Sequence, residues 1–339
     1  MQQSFWALWG FLIVSVVACS PAADPGVSSD DSAGTSLNVS RNEVVTRVPS
    51  PPQLIDVEAF ESVHVASRNL TIWLPPGYED GTRAYPVIYF HDGQNLFRPG
   101  FSYAGEEWGV DEAMTELVAE GEIEPAIIVG IWNTPLRARE YGPQALFEAL
   151  PEAEQAGVAG YWGGAALSDA YLRFIVEELK PHIDTTYRTR PGAASTFLMG
   201  SSMGGLISLY GLAEYPDVFG GAAAVSTHWP LAVLHDWEDG QAAELWFQTV
   251  LPVWQDYLSD AGLDASRHRL WMDHGTADLD GLYPPYQRAL EPDFAALGFV
   301  EGADFTVKVY PDAPHNEVAW RARVKEPLRF LLPNSTELD

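Results

Sequence analysis

The hydrophobic and polar positions divide the chain into a short leader, a polar stretch and a long alternating body. Residues 5–17 are almost unbroken apolar, too short and too close to the first residue to span a membrane, which predicts an export leader over residues 1–18. Over residues 19–52, Ser, Asp, Gly and Pro dominate without an apolar period, which predicts a flexible tether. The body, 53–339, alternates β-rich apolar runs with helical spacing. Residues 63–74 alternate as a strand, and Pro75-Pro76-Gly77-Tyr78 turns the chain after it. Residues 87–90 and 126–132 are continuous apolar runs, as strands covered on both faces should be. A helix is predicted between them, over 108–120. Leu172, Ile175, Val176 and Leu179 recur at helical spacing and predict a helix over 169–182. A strand over 196–199, a helix over 206–213, strands over 221–225, 269–273 and 305–310, and a closing helix over 317–332 complete the series. With right-handed crossovers this order predicts an α/β fold: one doubly wound, mostly parallel sheet with helices on both faces and its crevice at the carboxyl ends of the strands.

Composition narrows the partners. Asp and Glu outnumber Lys and Arg by 47 to 19, for a net charge of -28, so the surface repels phosphate backbones and anionic head groups, and nucleic acid is excluded as a partner. With 47% hydrophobic residues the chain can fill a large core. Its single cysteine, Cys19, rules out an internal disulfide. Val16-Val17-Ala18-Cys19 resembles a bacterial lipobox, although Met1-Gln2-Gln3 carries no Lys or Arg. The resemblance implies that Cys19 is lipidated and becomes the mature N-terminus. The expected location is that of an exported bacterial lipoprotein, at the outer membrane, cell surface or periplasm, with the lipid anchor as its only membrane contact.

Gly200-Ser201-Ser202-Met203-Gly204 fits G-x-S-x-G between a predicted strand and a predicted helix, the context in which that motif is a nucleophile elbow. Ser202 is the expected nucleophile, and the Met203 amide, at the helix start, can stabilise an oxyanion. A serine hydroxyl needs a base, and in the α/β-hydrolase fold the chain order is Ser, acid, His. His64, His91 and His182 precede the elbow, and His268 begins a strand at the wrong edge; His315, in the loop after the last predicted strand, is the expected base. The acid belongs after the preceding strand, in Asp273-His274-Gly275-Thr276-Ala277-Asp278-Leu279-Asp280, where both Asp278 and Asp280 qualify. Asp273 reads as part of the strand, and Asp312 stands too near the histidine. A second oxyanion donor is expected from the amide of Gly93 or Gln94, in the loop after an early strand.

Four segments, 91–97, 200–205, 275–280 and 315–320, together resemble the Putative esterase family of α/β hydrolases, with its esterase D, siderophore-esterase and feruloyl-esterase types. The likeness runs from about Val63 to Leu332. It implies a carboxylic ester hydrolase without a cofactor. In the subgroup most resembled the pattern Gly-Thr-x-x-Leu-Asp maps the acid to Asp280, with Gly281-Leu282-Tyr283 after it; other members read Gly-Thr-x-Asp, which would map it to Asp278. Asp280 is preferred. Ile131-Trp132-Asn133, Arg137, Glu140-Tyr141 and Pro143 are similar to a stretch shaping the acyl or leaving-group pocket, and Ser226-Thr227-His228-Trp229 resembles a site-lining segment. By this likeness Asp92, Asn133, Arg137, Glu140, Tyr141, His228 and Trp229 are expected substrate contacts.

The function expected is hydrolysis of short-acyl or aromatic esters through an acyl-enzyme, the substrate being a small-molecule or glycan ester, of a sugar or siderophore. An acyltransferase differs only in whether water or an alcohol meets the acyl-enzyme. A catalytically silent glycan-binding lipoprotein would be free to lose Ser202, His315 or Asp280, and all three are present. The histidines and carboxylates lack the spacing of a metal-ligand cluster, so neither metal nor cofactor is expected.

Overall fold

A computed structural model of the chain describes residues 48–232 and 240–334. The leader, Cys19 and the tether as far as residue 47 lie outside the described residues. The compact unit begins at Val48.

Eight strands form one sheet: β1 (Gln53–Phe60), β2 (Arg68–Leu74), β3 (Val87–His91), β4 (Ile127–Ile131), β5 (Thr196–Ser201), β6 (Gly221–Val225), β7 (Arg269–Gly275) and β8 (Phe305–Tyr310). Their spatial order is β1-β2-β4-β3-β5-β6-β7-β8, with β2 antiparallel to both neighbours and every other pairing parallel. The helices among the described residues are α1 (Val110–Ala119), α2 (Arg137–Tyr141), α3 (Gln144–Ala149), α4 (Glu152–Trp162), α5 (Ser168–Arg173), α6 (Lys180–Thr186), α7 (Met203–Glu214), α8 (Gly240–Asp260), α9 (Tyr283–Ala296), α10 (Glu317–Arg323) and α11 (Lys325–Leu331). A π turn, Phe174–Leu179, joins α5 to α6. The architecture is the α/β-hydrolase type.

The two-residue pleat distributes each central strand between two cores. Val87 and Tyr89 of β3, with Leu198 of β5, join the larger core on one face; Ile88 and Phe90, with Phe197 and Met199, join the smaller core on the other. This is why the central runs show no polar alternation. β3 has β4 on one side and β5 on the other, so the chain winds away from it in both directions and opens a crevice at the carboxyl ends of these strands.

Three expectations shift. The strand expected over 63–74 begins only at Arg68, because Val63 is 88% exposed and residues 63–65 form a bend. β1 was not foreseen: it is an edge strand, nowhere fully buried, that follows a proline-rich run. The closing helix is divided at Val324 into α10 and α11, since Pro327 has no N–H to continue the α10 ladder.

Candidate active site

Ser202 stands between β5 and α7 with φ 58° and ψ −123°, a conformation costly for any residue with a side chain. The backbone on either side is clamped: the Ser202 amide donates to Val225 O (2.9 Å) and its carbonyl accepts from the His228 amide (3.2 Å). The glycines permit the bend. A Cβ on Gly200 would fall 2.8 Å from the Gly204 carbonyl carbon, and one on Gly205 would meet the β6 backbone at Val225 O (3.0 Å). The strain therefore carries a partly exposed hydroxyl to the top of the sheet. Behind it, the Met203 amide heads α7 without an intrahelical acceptor.

On the neighbouring strand ends, His315 Nδ1 and Asp280 Oδ1 are 2.5 Å apart. Asp280 is fully buried, and its other oxygen accepts from the Gly275 amide (2.5 Å) and Ser226 Oγ (2.7 Å). Burial opposes ionisation of this carboxyl, but the His315 hydrogen bond and charge, then Ser226 and Gly275, outweigh it and hold the group below the usual aspartate range. Ser226 has φ 44°, and its hydroxyl also accepts from Trp320 Nε1 (3.0 Å) and Arg323 Nη2 (2.7 Å). Those two groups can only donate, so the Ser226 proton must go to Asp280. An ionised Asp280 can only accept, so the proton of the short bond belongs to His315 Nδ1. With Nδ1 committed to Asp280, Nε2 is the ring nitrogen free to exchange a proton, which is the arrangement of a base.

Arg323, buried from α10, also donates to Asp273 (2.9 Å) and lies 3.8 Å from Asp280. The β7 and β8 loops meet where a Cβ on Gly275 would be 2.0 Å from Ala313 O. Asp278, two residues before Asp280, is exposed at φ 52° and makes none of these contacts. Neither of the other nearby histidines can take a proton near neutral pH. Burial, ahead of the charges of His315 and Arg137, pushes His228 down to about 3, and burial does the same to His91 against the pull of Asp92.

After β3 the chain turns through Asp92, at φ 58°, and passes so close to β4 that a Cβ on Gly93 would lie 2.3 Å from the Gly130 carbonyl carbon. Asp92 is held by Arg137 Nε and Nη2 (2.8 Å each) and Asn133 Nδ2 (2.6 Å). Burial resists its charge, yet Arg137 and Asn133 keep its carboxyl below the ordinary value. Gln94 Oε1 receives the Asn133 amide (3.1 Å). Together these bonds fix the Asp92–Asn95 loop beside the elbow. A cavity of about 450 Å³ is lined by Ser202, His315, Gln94, Asp92, Asn133 and Arg137, together with Asn316, Glu317 and Trp320.

The Putative esterase family model matches residues 65–331. The chain belongs to that family. Among relatives of this chain, the ferri-bacillibactin esterase BesA of Bacillus subtilis (strain 168) is 31% identical over 160 residues, 43% of this chain and 49% of BesA. The chain spans about half the length of the curated relatives it matches. Among solved structures, an IroE-like serine hydrolase from Shewanella oneidensis has a TM-score of 0.59 at 22% identity, over 83% of this chain and 80% of that one. A ferulic acid esterase gives 0.58 at 21%, over 83% and 98%. Likenesses at this identity carry the fold.

Several residues expected at the site stand behind its wall. Trp229 is fully buried against Trp254, and His228, buried, has Nδ1 3.0 Å from the Tyr283 hydroxyl. Tyr141 is buried under Arg137, its hydroxyl accepting from the Asp92 amide (3.2 Å). Glu140 cannot reach the cavity because both its oxygens are bound by Arg68 (2.7 and 3.1 Å), with Thr134 added. Gly93 supports the loop, and Gln94 is the one of the two in the cavity wall. The sequence reading gave no site role to Tyr283, whose hydroxyl is within hydrogen-bonding reach of Ser202, to Arg323, which donates to Ser226, or to Asn316, Glu317 and Trp320 of the cavity wall. Tyr283 and Ser226 lay inside resembling segments, whereas nothing in the spacing marked Arg323.

The Arg68–Glu140 pair ties α2, and with it Arg137, to β2, at 1% side-chain exposure for each partner. Removing one member strands the other charge. Arg68→Met is expected to lower the unfolding free energy by about 3–5 kcal/mol in urea denaturation, and Arg68→Met with Glu140→Met by clearly less. A single variant as stable as the wild type would show the pair to be idle.

Proposed function

We propose that this chain hydrolyses carboxylic esters through an acyl-enzyme on Ser202, with His315 as general base and Asp280 as the acid that orients it. The observation that carries the reading is the 2.5 Å bond from His315 to a buried, ionised Asp280, in a chain that holds Ser202 in a strained turn on the same cavity wall. In this reading His315 Nε2 takes the Ser202 proton as Oγ bonds to the acyl carbon. The amides of Met203 and Gln94, or Gly93, receive the oxyanion. His315 then returns the proton to the alcohol oxygen as the ester C–O bond breaks, and water repeats the sequence to free the acid. Asp280 keeps its charge throughout and stabilises the imidazolium.

The cavity is of small-molecule size, and relatives named as ferri-bacillibactin and ferulic acid esterases support short-acyl or aromatic esters, of siderophores or sugars, as the substrate class. Ser202→Ala is expected to lose most of the rate, on the order of 10⁴-fold in kcat, on an unhindered aryl ester. Asp280→Asn should cost about 10²-fold or more with little change in KM, and Asp278→Asn less than about 10-fold. Full activity in the Ser202 variant would sink the proposal, and a reversed order of the two aspartates would move the acid to Asp278.

We also propose that the chain is exported and anchored through Cys19, on the strength of Val16-Val17-Ala18-Cys19 and the polar stretch that follows. Membrane fractionation and N-terminal mass spectrometry check this: acylated Cys19 is expected as the first residue, and Cys19→Ser should leave the chain unprocessed or released. A native chain that is wholly soluble and starts elsewhere would contradict it.

A further inference from the structure

Glu317 follows His315 by two residues, begins α10 and lines the cavity beside Asn316 and Trp320, yet it is only 7% exposed. Among the described residues its carboxyl hydrogen-bonds nothing but its own amide. The other side-chain oxygens of Asp92, Gln94, Asn95 and Asn316 around the cavity have partners. Arg137 and Asn133 engage Asp92, the Asn133 amide engages Gln94, the Tyr103 amide engages Asn95, and the Ala319 amide engages Asn316. With its own amide as the one internal donor, a carboxyl in the cavity wall keeps lone pairs open to a donor from outside the chain. Burial, with the charge of Asp92 behind it, already pushes this carboxyl above the usual glutamate range; a bound donor would relieve that.

The position says which part of the ester would bring the donor. In the reaction proposed above, on which this inference rests, His315 Nε2 hands its proton to the departing alcohol, so the wall that continues from His315 faces the alcohol. The oxyanion donors, Met203 and the Asp92–Asn95 loop, come from β5 and β3 instead. We infer that Glu317 is a specificity residue for the leaving group, accepting a hydrogen bond from a hydroxyl or protonated amine carried by the alcohol close to the ester oxygen. The natural substrate is then an ester of a polar alcohol, and a plain alkyl leaving group is a poor one.

The test compares three acetate esters of similar size, n-propyl, 2-hydroxyethyl and 2-(dimethylamino)ethyl, with p-nitrophenyl acetate as the common reference. Wild type, Glu317→Gln and Glu317→Asp are assayed, with rates normalised to sites labelled by a fluorophosphonate so that misfolded protein does not count. In the wild type, kcat/KM for at least one donor-bearing ester is expected to exceed that for n-propyl acetate by about 10-fold or more, the effect of one hydrogen bond to a charged group. Glu317→Gln should erase that preference, chiefly through KM, and Glu317→Asp should recover part of it. Preference for the hydroxyl ester alone would identify a neutral polyol-like alcohol, and preference for the amine ester a cationic one. Equal rates on the three alkyl esters in the wild type, or a preference that survives Glu317→Gln, would overturn the assignment. Wild-type failure on all four esters, p-nitrophenyl acetate included, would instead overturn the esterase reading.

Discussion

A carboxylate kept ionised where water cannot reach it is the constraint around which this edge of the cavity is built. Charge burial of this kind is tolerable only when donors replace the lost hydration. Asp280 finds three within 2.7 Å: the imidazole of His315, the Gly275 amide and the Ser226 hydroxyl. Each imposes a demand elsewhere. The Gly275 contact presses the β7 loop against the β8 loop that carries His315, which leaves no room for a side chain at 275. Ser226 must enter the left-handed region to aim its hydroxyl, and it can donate to Asp280 only because Trp320 and Arg323 occupy both its lone pairs. In this way α10 is bound to the ends of β6 and β7, and the orientation of one imidazole depends on residues from four separate stretches of chain.

The other side of the crevice is governed by close backbone approach rather than charge. Gly93 lies against Gly130, and Gly200 against Gly204, at separations that exclude even a methyl group. These contacts bring the Asp92–Asn95 loop and the start of α7 toward one another across Ser202. The Asp92–Arg137 pair and the Arg68–Glu140 pair then lock the loop and α2 in place, so that Arg137 stands in the cavity wall with its charge already balanced.

Much of this plan could be read from the chain because central parallel strands buried on both faces leave continuous apolar runs, and because the elbow and the acid loop each follow such a run, while the last histidine follows the alternating edge strand β8. The seams were harder to read. β1 is half-buried and abuts Pro51-Pro52, so its weak alternation merges with the tether. Helices α8 and α9 contain Pro252 and Pro292, which disguise helical spacing, and α2 to α4 are short, α4 burying only Val158 and Trp162. Spacing alone left Asp278 and Asp280 equivalent; what separates them is burial, since one is exposed and the other ringed by donors. Glu140 and Trp229 look like site residues in sequence because they neighbour site residues, but their side chains point into packing that links positions 25 to 72 residues apart. Arg323 reaches Ser226 across 97 residues, a contact that no local pattern announces.

The central claim is that these two walls converge on one serine. A crystal structure of the chain inactivated with a p-nitrophenyl phosphonate ester tests it most directly. The account predicts phosphorus bonded to Ser202 Oγ, with a phosphoryl oxygen about 2.7–3.1 Å from the amides of Met203 and of Gln94 or Gly93. It also predicts His315, still bonded to Asp280, facing the position of the departed oxygen. An adduct on Ser201, or a phosphoryl oxygen turned away from both amides, would contradict it.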